Sequence, residues 1–412
     1  MQITKENKFS SIYFKNKNIL FLQGPISYFF SDMKKYLEKE NQVFQITFNT
    51  SDEFFSDKKN LYPFNDKKTN YHSFILNFLN NNKINIVFLF GDERFFHKIA
   101  INIIKKDFPN IKIFVFEEGY IRPNYITIEE NGVNNNSNNF PKNGSFYKNL
   151  KLKKFDISKN IFLKNQSFNM HIYSIIYSII LFLFHFKYPY YEHHKNMNPF
   201  LQAFWGIRSL FRKILYNFTE KKERNFINEN KEYFLVPLQV YNDFQVISHS
   251  NFKNIKKMIE YVLTSYKKNN VNEYLVFKHH PMDRGIKNYK KYIEKMVDNL
   301  EIDKDKVIYI HECNLPLFLK KAKGIITINS TVGISALYHH KPVKILGLAN
   351  YNISNLTNKE YTLDLFWKKQ YNPNIKILKN FYNYTLVKTQ INGSFYQKFD
   401  IEKVFEKIEN II

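Results

Sequence analysis

Cysteine is almost absent. Cys313 stands alone among 412 residues, so no internal disulfide can form, and a reducing compartment, the cytoplasm, is expected. Glycine is scarce, with 11 in the chain. The few that remain mark places where the backbone needs positive φ or close approach. Gly24, Gly91, Gly119, Gly333 and Gly347 all fall where an apolar run ends or a helical pattern begins, as a doubly wound fold requires. Acidic residues are few: 37 against 61 basic ones, a formal net charge of +24. Lys is spread along the chain and no nucleic-acid module accompanies it, so nucleic acid is not expected as a partner. Lys, Asn, Ile, Phe and Tyr are raised together, the signature of AT-rich coding. A basic surface equally suits nucleotides, anionic sugars and acidic headgroups.

Long apolar runs are also lacking. Asn165 to Phe186 carries no Lys, Arg, Asp or Glu, but its dense part, Ile172 to Phe186, is broken by Tyr173, Ser174, Tyr177, Ser178 and His185. A membrane span needs about 20 mostly apolar residues. Span, interfacial helix and buried helix stay open. Basic residues follow (Lys187, Lys195, Arg208, Arg212 and Lys213), so peripheral contact with an anionic leaflet is expected. Met1 to Asn18 is polar and charged, without the order of a signal peptide. No Asp-x-Asp pair lies beside the motifs below. The doublets His193-His194 and His339-His340 lack a set of co-ligands. Metal-independent chemistry without a resident cofactor is expected.

What is present is an alternation of β-branched runs with helical spacing, which implies parallel sheets covered by helices. The length suits two cores. A first Rossmann-like domain is placed at 1–150, closed by an Asn-rich loop with seven Asn between Asn131 and Gly144. A helical linker follows at 151–230, a second Rossmann-like domain at 231–350, and a mainly helical segment at 351–412. This is the two-domain arrangement of GT-B glycosyltransferases, with sheets facing a central cleft.

Strand carboxyl ends are where open α/β sheets bind ligands, and five such ends carry polar motifs. Phe277-Lys278-His279-His280-Pro281-Met282-Asp283-Arg284-Gly285 and Ile326-Thr327-Ile328-Asn329-Ser330-Thr331-Val332-Gly333 each join a strand to a helical pattern. Pro281 restricts His280 to extended backbone, and an imidazole N–H suits a phosphate oxygen. Lys278 and Arg284 add charge. Ser330 and Thr331 suit a helix start, which caps the helix and also attracts phosphate. Together they read as a nucleotide-phosphate site. Asp243, in Leu238-Gln239-Val240-Tyr241-Asn242-Asp243, is suited to nucleophilic attack, to stabilising an oxocarbenium ion, or simply to capping a helix. Glu117-Glu118-Gly119-Tyr120-Ile121-Arg122-Pro123 offers a general acid or base. Adjacent strand residues diverge, so only one of Glu117 and Glu118 is expected to face the cleft. Phe21-Leu22-Gln23-Gly24-Pro25 reads as an acceptor contact or a tight turn.

These five ordered motifs, from about residue 19 to 390, resemble those of bacterial capsule polysaccharide synthesis and export proteins of the KpsS type, LipB-like in some capsule loci. The resemblance implies a retaining β-Kdo transferase. It would move Kdo from CMP-Kdo to a phosphatidylglycerol-type lipid at the cytoplasmic face of the inner membrane, and a KpsC-type transferase would extend the linker ahead of the capsule export machinery. It implies that the first domain takes the acceptor and the second the CMP-sugar. Lys278, His280, Pro281, Arg284, Asn329, Ser330, Thr331 and Gly333 would hold CMP. Asp243 would attack the anomeric carbon, Glu117 would be the acid/base, and His280 would assist the leaving phosphate. Two other functions fit the same residues: a CDP-glycerol-type glycerophosphotransferase, and a non-enzymatic capsule assembly or export adaptor.

Overall fold

The computed structural model describes residues 13–152, 163–192 and 199–411. Twelve strands occur among them: β1 (Asn18–Phe21), β2 (Gln42–Thr47), β3 (Leu61–Pro63), β4 (Ile86–Phe90), β5 (Lys112–Glu118), β6 (Tyr125–Glu130), β7 (Tyr233–Pro237), β8 (Tyr274–Lys278), β9 (Val307–Ile310), β10 (Gly324–Thr327), β11 (Val343–Ile345) and β12 (Gln390–Asn392). They form two open sheets, ordered β12-β6-β5-β4-β1-β2-β3 and β11-β10-β7-β8-β9. The second is parallel throughout. The first is parallel from β5 to β3, with β6 and β12 antiparallel at one edge. The fold is therefore mixed α/β with mostly parallel sheets, as the alternating pattern predicts.

The chain divides into two compact units. Unit one holds residues 1–138, 156–203 and 386–412; unit two holds 139–155 and 204–385. The C-terminal stretch, expected to be mainly helical, includes β12, which pairs with β6 in unit one. Neither strand stands out in the sequence. Tyr125–Glu130 follows a turn rather than a helix, and Gln390–Asn392 is only three residues long.

In unit one the two-residue period of the strands feeds two cores. Leu20, Phe44, Ile46, Val87, Leu89, Ile113 and Val115 face one side. Ile19, Phe21, Val43, Ile86, Phe88, Phe114 and Phe116 face the other. Burial on both faces explains why β4 and β5 read as continuous apolar runs rather than as alternation. In unit two, Phe234, Val236, Leu275, Phe277 and Ile326 pack on the helix Ile255–Lys268. That helix buries Ile255, Met258, Ile259, Val262, Leu263 and Tyr266, the i, i+3, i+4 stripe of an amphipathic helix. Asn254 caps it by accepting the Lys257 amide at 3.1 Å.

Among the described residues no helix is long and apolar enough to cross a membrane. Most of the apolar run 172–186 lies in the helix Gln166–Leu183, and its end passes into the short turn His185–Lys187. Tyr173, Tyr177 and Leu181 pack it against Phe55 of unit one, while Phe168, Ile172, Ile175, Ile179 and Leu183 stay exposed.

Candidate functional site

Each sheet begins in its middle. In unit two the chain runs β7, β8, β9 to one side and then returns to β10 and β11 on the other. The reversal leaves a crevice between β7 and β10, the place where such sheets bind ligands. The loops after β10, β7 and β8 therefore stand side by side at the carboxyl edge, and they carry three of the expected motifs.

Side chains tie these loops together. Gln239, just past β7, reaches across the reversal: its Nε2 donates to Asn329 Oδ1 at 2.9 Å, and its Oε1 accepts the Asn329 amide at 3.1 Å. The same Nε2 donates to Asp243 Oδ2 at 3.2 Å. Asp243 Oδ1 accepts the Gln245 amide at 2.9 Å, so Asp243 caps the short helix Phe244–Ser248. Asn329 Nδ2 closes the ring by donating to the Gln245 carbonyl at 2.8 Å. The carboxylate of Asp243, half-buried, is thus fixed by two donors from its own loop. The β8 loop joins through Asp283, whose Oδ2 accepts the Tyr241 amide at 2.8 Å.

His280 caps the turn Pro281–Asp283. Its Nδ1 accepts the Met282 amide at 3.2 Å, which leaves the proton of a neutral ring on Nε2. Ser330 Oγ accepts the Val332 amide at 3.2 Å at the start of the helix Val332–Tyr338. Asn329, Ser330, Thr331 and His280 are half-buried, and Pro281 is exposed, so all five can be reached by a ligand.

Three expected phosphate contacts have other surroundings. Lys278 is buried, and its Nζ donates to the carbonyls of His279 and His311, each at 2.7 Å. Burial pushes its pKa down. Arg284 is buried too. Its Nε donates to Glu312 at 2.7 Å, and its Nη1 donates to Ser209 Oγ at 3.3 Å. A side chain on Gly333 would collide with the ring of Tyr351, 2.2 Å from its hydroxyl. The physical reason is shared. The sheet ends in several turns that must satisfy their own carbonyls and carboxylates, and these cations and this gap serve that task.

Beneath the His-Pro loop lies a layer that sequence reasoning missed. His279 Nδ1 shares a hydrogen bond of 2.7 Å with Tyr309 Oη. Burial first, then the charges of His311 and Lys278, push the His279 pKa down to about 2. His311 pairs with Glu220 and stacks on Tyr216, with ring centroids 3.7 Å apart.

Unit one repeats the reversal, with β1 in the middle and the crevice between β1 and β4. Gln23, just past β1, is again the bridge. Its Oε1 accepts from Arg94 Nη1 at 2.9 Å, and its Nε2 donates to both oxygens of Asp52 at 3.0 Å. Asp52 also accepts from Asn49 Nδ2 at 3.0 Å and Tyr177 Oη at 3.1 Å. Burial raises its pKa against these bonds.

Glu117 and Glu118, at the end of β5, diverge as adjacent strand residues must. Glu118 Oε1 accepts from Tyr396 Oη at 3.0 Å. Glu117 Oε1 accepts the Glu118 amide at 2.9 Å. Glu117 Oε2 and Arg94 Nε line the space above Gly91, within 3.7 and 3.8 Å of where a side chain there would begin. Gly91 has φ +72°, so the absent side chain also permits the turn. Burial pushes the Glu117 pKa up to about 7, with the charges of Glu118 and Asp92 adding and the Glu118 amide and Arg94 opposing. A carboxyl poised near neutrality can take or give a proton at working pH.

Asp52, Arg94 and Tyr177 escaped the sequence reading. Arg94 had a usable signal, because Asp92-Glu93-Arg94 directly follows the strand-ending Gly91. Asp52 and Tyr177 had none, being brought together across 125 residues. Among the described residues no group of three His, Cys, Asp or Glu gathers as a metal site. His193 and His194 lie outside the described residues.

A family model described as capsule polysaccharide biosynthesis protein matches residues 85–396. The chain is 34% identical over 391 residues to the capsule polysaccharide export protein KpsS of Escherichia coli, covering 94% of this chain and 98% of that one. It is 33% identical over 407 residues to the capsule polysaccharide modification protein LipB of Neisseria meningitidis serogroup B, covering 96% of each. Among solved structures, the β-Kdo 2,7 transferase of Thermosulfurimonas dismutans KpsC aligns with a TM-score of 0.44 and 13% identity, over 96% of this chain and 99% of that one. The family match and the two full-length relatives agree with the five motifs: the chain belongs to the capsule polysaccharide biosynthesis protein family.

Proposed function

We propose that the chain is a retaining β-Kdo transferase that moves Kdo from CMP-Kdo to a phosphatidylglycerol-type lipid. The observation that carries this reading is Asp243. Its carboxylate is held by Gln239 and the Gln245 amide at the reversal of unit two, in the same set of linked loops as His280 and Ser330. In the proposed reaction an oxygen of Asp243 bonds to the anomeric carbon as the bond from that carbon to the CMP phosphate breaks, and CMP leaves with the electron pair. His280 Nε2–H, with Ser330 and Thr331, steadies that phosphate. The lipid hydroxyl then attacks the same carbon and releases Asp243, and Glu117 takes the hydroxyl proton. Two displacements at one carbon retain its configuration.

Unit two would thus serve the donor and unit one the acceptor. Lys278 and Arg284 brace the donor loops and supply positive potential from behind them, and Gly333 makes room for Tyr351. No resident metal or cofactor has a role in this scheme. A lipid acceptor would bring the chain to the inner face of the inner membrane as a peripheral protein. The exposed apolar face of the 166–183 helix and the net charge of +24 support that placement. A KpsC-type transferase and the export machinery would take over the product.

The test is to incubate purified protein and a lyso-phosphatidylglycerol analogue with CMP-Kdo or with CDP-glycerol, and to read the acceptor by mass spectrometry. A mass increase of one or more Kdo residues is expected with CMP-Kdo only. Transfer of glycerol phosphate would replace this reading with the glycerophosphotransferase. Transfer from neither would favour the adaptor.

A further inference from the structure

The helix Pro199–Thr219 has two faces with different tasks. Its inner face, from Phe204 onward in unit two, grips the His-Pro loop. Arg212 Nη1 donates to the Arg284 carbonyl at 2.8 Å, and Ser209 Oγ accepts from Arg284 Nη1 at 3.3 Å. The Trp205 carbonyl lies 2.1 Å from where a side chain on Gly285 would begin, so this approach needs glycine. Tyr216, one turn on, stacks on His311.

The outer face is apolar and uncovered. Phe204, Ile207, Phe211, Ile214, Leu215 and Phe218 are exposed, Ile207 by 69% and Phe211 by 67%. At 3.6 residues per turn they fall within an arc of about 100°, opposite to Ser209 and Tyr216. A stripe of that size on a soluble surface marks a contact. Residues 199–219 contain no Asp or Glu, and Lys221 and Lys222, just beyond the end of the helix, are exposed. An apolar stripe beside basic residues, in a chain of net charge +24, is complementary to an anionic lipid surface rather than to a neutral apolar partner.

We infer that this helix seats the protein on an anionic bilayer and couples that contact to the His-Pro loop, so that the donor loop is ordered at the membrane. The inference deepens the lipid-acceptor reading and rests on it for its purpose, but the surface itself is testable without any donor. The full chain is mixed with vesicles of phosphatidylcholine alone or of phosphatidylcholine with phosphatidylglycerol, and binding is read by co-sedimentation. The anionic vesicles should bind, the neutral ones should bind at least about tenfold more weakly, and added salt should release the protein. Ile207→Glu/Phe211→Glu/Ile214→Glu places carboxylates on an exposed face. It should keep the thermal melting profile and lose anionic-vesicle binding by about tenfold or more. Hydrogen exchange at residues 281–288 should slow when the parent protein meets anionic vesicles, and should not slow in the triple variant.

Parent-like vesicle binding by the triple variant overturns the surface, and unchanged exchange in the loop overturns the coupling. A parent dimer in solution that the variant breaks, with no vesicle binding by either, would make the stripe an interface between copies and also overturn it. Transfer to a water-soluble, short-chain acceptor separates the two readings. Its failure in the parent would sink the transferase while leaving the vesicle result standing.

Discussion

Both units solve one topological problem with one residue type, and they use the solution differently. In each sheet the first strand lies in the middle, and a Leu-Gln pair follows it: Leu22-Gln23 in unit one and Leu238-Gln239 in unit two. An amide side chain donates and accepts at once, which suits a bridge over a crevice where two loops part. Gln23 ties a carboxylate, Asp52, to a guanidinium, Arg94. Gln239 ties a carboxylate, Asp243, to an amide, Asn329. Unit one thereby gathers acids in a half-buried place, where Glu117 is held near neutrality. Unit two gathers capped turns, with its cations withdrawn behind them. The first arrangement suits proton transfer, and in the proposed reaction the second would hold the donor phosphate and present a fixed carboxylate.

The largest expected effect tests the fixed carboxylate. Asn caps a helix about as well as Asp, so Asp243→Asn should leave folding and nucleotide affinity near those of the parent. Transfer should fall by about 10⁴-fold or more, read by mass spectrometry of the acceptor beside calorimetry with CMP. Substantial transfer by this variant, or an α-linked product from the native chain, would end the double-displacement scheme.

Glu117→Gln tests the other half. General-base catalysis contributes about 10²–10⁴-fold, and that loss is expected together with loss of the rising limb of the pH–rate profile near pH 7. The signs for rate and stability are opposite. A carboxyl raised from its ordinary value of 4.5 to about 7 binds its proton more tightly in the folded state. Its contribution to stability is fully present below the unfolded value and is lost as pH rises through about 7. Transfer, which needs the ionised base, rises through the same window. A parent profile flat across it would show that Glu117 is not the titrating group.

His280→Ala should weaken CMP binding by about 1.5–3 kcal/mol, roughly 10- to 150-fold, through loss of one charge-assisted contact. Calorimetry giving unchanged affinity would remove His280 from the donor site. The two glutamines should then behave alike in stability. Gln23→Ala and Gln239→Ala each remove bridging hydrogen bonds to half-buried partners, at a cost of about 1–3 kcal/mol in urea unfolding. A large cost for one and none for the other would break the parallel between the crevices. The smallest effect belongs to Glu118→Gln. An amide oxygen can still accept from Tyr396, so stability should change by less than about 1 kcal/mol. A loss of transfer as deep as that of Glu117→Gln would reverse the choice between the two acids.

Most of unit two's candidate site was legible because its parts are short and contiguous. Each motif is the loop after one strand, and a parallel sheet must bring such loops to one edge. What stayed hidden was orientation. Lys278 and Arg284 look like phosphate ligands in sequence, yet both are drawn inward by carbonyls and by Glu312. Unit one was less legible. Glu117 and Gln23 were visible at strand ends. Asp52, Arg94 and Tyr177 come from three separate segments, and nothing local in the sequence links them.

The sequence by itself determined the alternating α/β pattern, the strand ends that carry polar motifs and the family, since these depend on apolar periodicity and on residues adjacent in the chain. Tertiary structure decided which cations face inward, that Glu117 is held near neutrality, and that the 199–219 helix leaves an apolar stripe uncovered on one side and holds the His-Pro loop on the other. Those properties depend on burial and on partners distant in sequence. Desolvation and hydrogen bonding act on the neighbours a side chain acquires on folding, not on those it has along the chain.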